Sequence, residues 1–337
     1  MAASGLDPDE LDIAILREMY RGGAVNLAGI DPRLNATRIA RSLRVGRARI
    51  SARLKWWRRS GFLQKYAVWL NPALLGWHGT WVAIRLEHPR LKPELFRRLG
   101  LIDGVVSAMD FLGEWVSAAL VAPDPVSLQR RVDLIRHLAG VREIEPPVPW
   151  RILEPKRSLT PLEIRIVQAL RERPTATLSE TARRVGISTR TMTRKYSALV
   201  EDWTVWFMPV FDFTALPYPV VSLNLFVGPG AERDSIARRI RSRFPLTLDF
   251  STTVVGPDTP PQVLVFFVTL RSIGQLEELE AFVGALDGVQ HVEPYVMVRT
   301  YDYPEWFDAH LRGLLPPARA PDRTAPRPAR RPVNPRA

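Results

Sequence analysis

Apolar residues in LDPDELDIAILREMYRGG recur at helical spacing: Leu11, Ile15 and Met19 form one stripe with Leu16 beside it, and Asp7 and Pro8 suit the N-cap and first-turn positions. NATRIARSLRV predicts a short second helix. VGRARISARLKWWRRSG (45–61) predicts a third after a turn at Arg44–Gly46, and FLQKYAVWL (62–70) alternates as the strand of a wing would. Helix, short helix, turn, helix and strand is the winged helix-turn-helix order. The same order returns at residue 159. LTPLEIRIVQALRERP reads as an amphipathic helix with Thr160 as cap and Pro161 at its first position, and LSETARRVGISTRTMTRKYSALVEDWTVWFMPV supplies the rest. Aligning Ala40 with Ala182 puts Ile50 on Met192, Leu54 on Tyr196, Trp57 on Leu199 and Leu63 on Val205. Pattern repeats more than identity, which predicts a duplication.

The segments that follow each of these units also match one another. Residues 79–153 read strand (TWVAIRLEH), helix (PELFRRLGL), strand (VVSAMDFLG), strand (EWVSAALVA), helix (SLQRRVDLIRHLAG) and strand (VREIEPPV). Residues 218–301 read strand (YPVVSLNLFVG), helix (ERDSIARRIRSRF), strand (LTLDFSTTVVG), strand (QVLVFFVTL), helix (QLEELEAFVGALDG) and strand (VQHVEPYVMV). Both are βαββαβ, the ferredoxin-like order. Each second helix is followed by a glycine and a strand that begins with valine, AGVREIEP and DGVQHVEP, and that glycine suits a left-handed position. The predicted fold class is therefore α+β, two winged helix-turn-helix domains alternating with two ferredoxin-like βαββαβ domains. The expected boundaries are 1–76 and 77–155 for the first pair and 156–215 and 216–315 for the second, more divergent pair. The remainder, 316–337, carries seven prolines and six arginines and predicts a disordered tail.

Charge sharpens this division. The chain of 337 residues has a net charge of +12, yet 1–76 hold thirteen basic and six acidic side chains whereas 216–315 hold eight and twelve. Basic character is local, as expected where particular segments meet a polyanion. There is no cysteine, and five scattered histidines (His78, His88, His137, His291, His310) lack ligand spacing, so no metal or cofactor is expected. The acidic start MAASGLDPDELD predicts no signal peptide, and apolar runs are too short for a membrane span. A cytoplasmic, nucleoid-associated protein is expected.

A basic helix-turn-helix followed by βαββαβ resembles the leucine-responsive/asparagine regulator family, Lrp/AsnC. The residues that carry the resemblance are LDPDELDIAILREM, IARSLRVGRARISARLKWWRRSGFL, and IDGVVSAMDFLGEWVSAALVAPDPVSLQRRVDLIRHLAGVREIEP. It implies a sequence-specific transcription regulator, with double-stranded DNA as partner, homo-oligomer formation, and a small-molecule effector such as an amino acid near the turn Gly113, Glu114, Trp115. Two departures stand out. Val116 occupies the place of another acid in the family turn, and the second copy reads VGPDTPPQ, with no Gly-acid-aromatic match. One chain also carries two copies, which implies an internal pseudo-dimer.

On a helical wheel centred on Ile50, Leu54, Trp57 and Gly61 form the buried stripe, while Ala48, Ser51, Ala52, Lys55 and Arg59 lie opposite, flanked by Arg47 and Arg58 on one edge and Arg49 and Arg53 on the other. Six of the thirteen residues from Arg47 to Arg59 are basic and none is acidic. Small residues admit close approach to a major groove and the cations reach phosphates, so Arg47, Ala48, Arg49, Ser51, Arg53, Lys55, Arg58 and Arg59 are the expected DNA contacts. The second helix offers Arg190, Thr193 and Arg194, followed by Glu201 and Asp202. Two alternatives accompany this reading. One is an architectural, DNA-coating protein. The other rests on a resemblance of the two-domain architecture to sirohaem decarboxylases, which implies His, Arg and Tyr between the sheets; only His78 and Tyr218 present themselves. With no paired carboxylates, Ser/His/Asp set or phosphate-cradling glycine loop in the sequence, no enzymatic activity is expected.

Overall fold

The structure, a computed structural model, describes residues 10–19, 36–150, 158–202, 204–216, 218–249 and 262–313. The expected cap at Asp7, the link after Trp150, the VGPDTPPQ turn up to Gln262 and the Pro/Arg-rich tail lie outside them.

The first half runs α1 (Glu10–Met19), α2 (Ala36–Leu43), α3 (Arg47–Arg59), β1 (Leu63–Leu70), β2 (His78–Leu86), α4 (Lys92–Leu99), β3 (Val105–Phe111), β4 (Trp115–Ala122), α5 (Pro125–Arg136), β5 (Val141–Ile144) and β6 (Val148–Trp150). The second runs α6 (Pro161–Glu172), α7 (Leu178–Val185), α8 (Thr189–Glu201), β7 (Val205–Phe211), β8 (Val220–Val227), α9 (Arg233–Arg243), β9 (Thr247–Asp249), β10 (Gln262–Thr269), α10 (Gln275–Gly284), β11 (Val289–Asp302) and α11 (Glu305–Gly313). Thr160 caps α6 in a full capping box with Glu163, and Thr177 does the same for α7 with Glu180.

The strand order β5-β2-β4-β3 of the first half and β11-β8-β10-β9 of the second are the same ferredoxin-like order. They join edge to edge into one nine-stranded sheet, because β11 is long: Val289–Val296 pairs with β8, and Met297–Asp302 continues along β3. The two halves therefore pair within one chain as a pseudo-dimer. Helices cover one face of each half-sheet. Leu95, Phe96, Val132 and Ile135 pack on Ile84, Ala108 and Leu120, and Ile236, Ile240, Leu279 and Val283 pack on Leu223, Leu225 and Phe266. Gly140 and Gly288 both have positive φ, at 86° and 84°, as their repeated sequence predicts. A Cβ there would also press to 2.5 Å on Leu91 and 2.8 Å on Ala231, so only glycine fits both backbone and neighbour.

The strand expected over 62–70 is present as β1, and it is buried between two layers. Residues Tyr66–Leu70 of β1 are all buried, and β1 pairs antiparallel with β7, its counterpart in the other half, from Leu63↔Phe211 to Leu70↔Val205. Tyr66, Val68 and Leu70 face the helix-turn-helix cores, while Ala67 and Trp69 face the open side of the sheet against Val106, Ala119 and Val121. A strand buried on both faces reads as a nearly continuous apolar run. The ribbon thus sits between the helix-turn-helix units and the sheet.

Polar contacts lock this stack. Arg171, near the end of α6, donates to the Asp308 carboxylate and to the Val68 carbonyl of β1, and reaches Pro304 O at 3.3 Å. Its guanidinium also lies 5.0 Å from the Phe307 ring centre. Arg299 of β11 forks onto Asp212 at 3.0 and 2.6 Å just beyond β7.

Two outcomes follow from this arrangement. Arg171→Met removes a nearly buried cation that ties α6, the ribbon and α11, and is expected to lower unfolding free energy by about 2–3 kcal/mol in urea titration; a change within about 0.5 kcal/mol would show that the tie contributes nothing. Because sheet and ribbon close within one chain, sedimentation is expected to find a stable folded particle at the chain mass of 38.2 kDa on dilution; unfolding coupled to dissociation would contradict internal pairing.

Candidate nucleic-acid interface and inter-unit cavity

Helix α3 is held down by Ile50 and Trp57, both buried, with Leu54 and Trp56 half-buried at the margins. Trp57 packs edge-on against Phe62 at 5.5 Å, and Phe62 stacks on Phe211 of β7 at 4.6 Å. Arg47, Ala48, Arg49, Ala52, Lys55, Arg58 and Arg59 are exposed, and Ser51 is half-buried. They form one basic face with no acid in the helix.

Arg53 departs from that set. It is only 8% exposed, and its Nε donates to the Asp12 carboxylate of α1 at 2.6 Å, while Trp57 Nε1 donates to the same oxygen at 3.1 Å. The buried stripe is centred between Ile50 and Arg53, since Leu54 lies on its far side. A partner acid in α1 draws the arginine inward, because an arginine buried without one would bear a large desolvation cost. Arg53 is a structural cation here, not a groove contact.

The second helix repeats this device. Lys195, like Arg53 the seventh residue of its helix, donates to the fully buried Glu163 of α6 at 3.0 Å. Glu163 is also the acid of the α6 capping box, so one carboxylate starts a helix and anchors the next. Arg190, Thr193 and Arg194 are exposed, and Thr193 donates to Thr189 O within the helix. At the positions equivalent to Lys55, Arg58 and Arg59 stand Ser197, Val200 and Glu201, so α8 keeps the anchor and loses most of the charge. Ser188 caps α8, whereas Gly46 leaves α3 without a side-chain cap.

Between the ribbon and the sheet lies a cavity of about 180 Å³. Small side chains face each other across it, Ala67 and Pro209 above and Ala83, Ser107, Ser117 and Ser222 below, and aromatic rings wall it. Gly113 takes positive φ in the β3–β4 turn, Glu114 is paired with Arg85 at 3.1 Å, and Trp115 lines the cavity with its ring 6.0 Å from that of Tyr295. Of the expected effector turn only Trp115 thus reaches this space. His78 is exposed on β2 and Tyr218 lies before β8; neither lines the cavity.

Sequence reasoning missed the carboxylates of the lining, Glu145 and Glu293. Tyr295 donates to Glu293 at 3.1 Å, and His291 lies 3.3 Å from its other oxygen. Burial, then the neighbouring Glu293 and Glu143 charges, push the Glu145 carboxyl above its ordinary range, and burial, then Glu293 and Glu145, raise the Tyr295 phenol. The signal was present: they are the same residue of the repeated strand, in EIEPP and HVEPY.

Residues 159–202 match the winged helix-turn-helix DNA-binding family. Comparison with curated protein sequences found no match. Among solved structures, the siroheme decarboxylase NirDL shares the fold over 90% of this chain and 98% of its own, at 15% identity and a TM-score of 0.52. E. coli AsnC aligns over 45% of this chain and 96% of its own at 18% identity and a TM-score of 0.29. The Mycobacterium tuberculosis leucine response regulatory protein LrpA aligns over 44% and 95% at 22% and 0.29. The first of these corrects the expectation that the chain is not an enzyme. The entire architecture, both units included, is one that a decarboxylase uses, and the motifs sought in the sequence do not exhaust the chemistry open to such a cavity. Among the described residues, no helix is long and apolar enough to cross a membrane, and no His/Cys/Asp/Glu group could hold a metal ion. Residues 159–202 carry a winged helix-turn-helix of the DNA-binding kind, the helix-turn-helix unit occurs twice, each time followed by a ferredoxin-like domain, and the whole fold is shared with siroheme decarboxylase NirDL.

Proposed function

We propose that the chain is a sequence-specific DNA-binding transcription regulator of Lrp/AsnC type, in which α3 is the principal reader and α8 an auxiliary one. The observation that carries this reading is the α3 surface: Arg47, Arg49, Lys55, Arg58 and Arg59 exposed around Ala48 and Ala52, on a helix whose other side is bolted to α1 and the ribbon. The cations supply phosphate contacts on both walls of a groove, and the small residues clear the approach of the helix start to base edges. A rigid ribbon joining both helix-turn-helix units suits two half-sites at fixed separation. Further homo-oligomers and a small-molecule effector belong to the same reading.

NirDL is by name a siroheme decarboxylase. That activity is the second reading of this fold. Titrating sirohaem against the protein and watching for a Soret shift tests the point directly.

Binding to a fragment of the promoter region of its own gene is expected to weaken steeply as salt rises, and an affinity indifferent to salt would sink the proposal. Arg49→Glu with Lys55→Glu is expected to cut affinity by about a hundredfold or more, with unfolding free energy within about 1 kcal/mol of the parent. Arg190→Glu with Arg194→Glu is expected to cost only about tenfold, because α8 presents fewer cations and an acidic end. Equal affinity for promoter and random DNA would make the chain a DNA-coating protein instead.

A further inference from the structure

We propose that the cavity between ribbon and sheet is a binding site for a small organic cation with an aromatic or aliphatic body, clamped between the glutamates that the two halves contribute. The claim concerns the cavity alone and is independent of the DNA-binding reading.

The first argument is shape. The space is not a flaw in one place. It arises because small side chains from four strands and the ribbon face each other, Ala67 and Pro209 above, Ala83, Ser107, Ser117 and Ser222 below. Protein interiors fill such gaps with larger apolar side chains, and an apolar space of this order accepts an aromatic guest. The sheet and the ribbon are each tied by full ladders, so the walls are pre-formed.

The second argument is charge. Glu145 follows β5 and Glu293 stands in β11, at the same position of the repeat, and the pairing of the halves brings both to one cavity. The third acid, Asp302, is answered by Lys65 at 3.3 Å and Trp69 Nε1 at 3.1 Å. Glu145 has no side-chain hydrogen bond or ion pair among the described residues. Burial and the neighbouring Glu293 and Glu143 disfavour charge on Glu145, His291 beside Glu293 opposes them as the smallest cause, and a cation between the two glutamates offsets the repulsion. An anion would add a third negative charge.

The third argument is the aromatic wall. Trp115, Phe111 and Tyr295 cluster, with ring centres 5.0 Å apart for Phe111–Tyr295 and 6.0 Å for Trp115–Tyr295. Ring faces beside carboxylates recognise ammonium groups through cation–π attraction and ion pairing together.

The test is calorimetric titration of the full chain with three indoles that differ in one group: tryptamine, neutral tryptophol and anionic indole-3-acetate. Tryptamine is expected to bind about tenfold or more tightly than tryptophol, with indole-3-acetate weakest. The double variant Glu145→Gln, Glu293→Gln, whose fold is checked by its melting curve, is expected to lose that preference while still binding tryptophol. The proposal is overturned if none of the three binds, if tryptophol or indole-3-acetate binds as tightly as tryptamine, or if the double variant retains the preference. An iron-uroporphyrin that binds in preference to tryptamine overturns it as well.

Discussion

The antiparallel pairing of β1 with β7 is the contact on which the rest of the molecule depends. In a single unit each would be a lone strand with one apolar face against its own helices and another left bare. Pairing them satisfies their backbone groups and lets the second face close on the sheet. That one ladder joins the two helix-turn-helix units and roofs the cavity. It also explains why Tyr66–Leu70 are buried throughout, and why Phe62 and Phe211, from different halves, stack on one another. The continuation of β11 along β3 makes the same join in the layer below. A duplicated chain holds these edges at fixed effective concentration, where two separate chains would have to find each other.

Duplication also freed the copies to differ. Arg53 and Lys195 occupy equivalent places and are anchored by acids of the first helix of their unit, Asp12 and Glu163. The packing device is shared while the outward charge is not. Ser188 caps α8, whereas α3 starts at the bare Gly46 and carries the concentrated cations. Crowding arginines and a lysine on one solvated face costs self-repulsion, which a polyanion relieves.

Both βαββαβ orders, the Thr160 cap, the left-handed glycines and the Ile50–Trp57 stripe were legible in the sequence, because each is dictated by neighbours within a few residues. The strand after the first helix-turn-helix was legible, but its partner was not, for a physical reason. Alternation in FLQKYAVWL reports one buried face, and whether the other is wet depends on a strand more than a hundred residues away. Arg53 was misplaced because its acid lies forty-one residues upstream, and a lone arginine otherwise belongs in water. The cavity left no local trace at all: Ser107, Ser117 and Ser222 look like ordinary strand residues until the ribbon is laid over them. Glu145 and Glu293 were visible as a repeat of Glu-Pro, yet only the pairing of the halves turns a repeated surface acid into two charges at one site.

The same pairing makes the cavity and the basic helix parts of one packed cluster. Phe211 and Phe213 line the cavity; Phe211 stacks on Phe62 at 4.6 Å, and Phe62 meets Trp57 of α3 at 5.5 Å. Trp57 in turn shares the Asp12 oxygen with Arg53, which fixes the helix against α1. Every step is a direct contact between close-packed rings or a short hydrogen bond, and close-packed interiors answer a displaced ring by moving its neighbour rather than by absorbing it. Contiguity alone is not coupling: a ligand biases the helix only if it binds two arrangements of this cluster with different affinity. What the architecture adds is that such a difference need not be carried far. The roof of the cavity and the floor under α3 are the same ribbon.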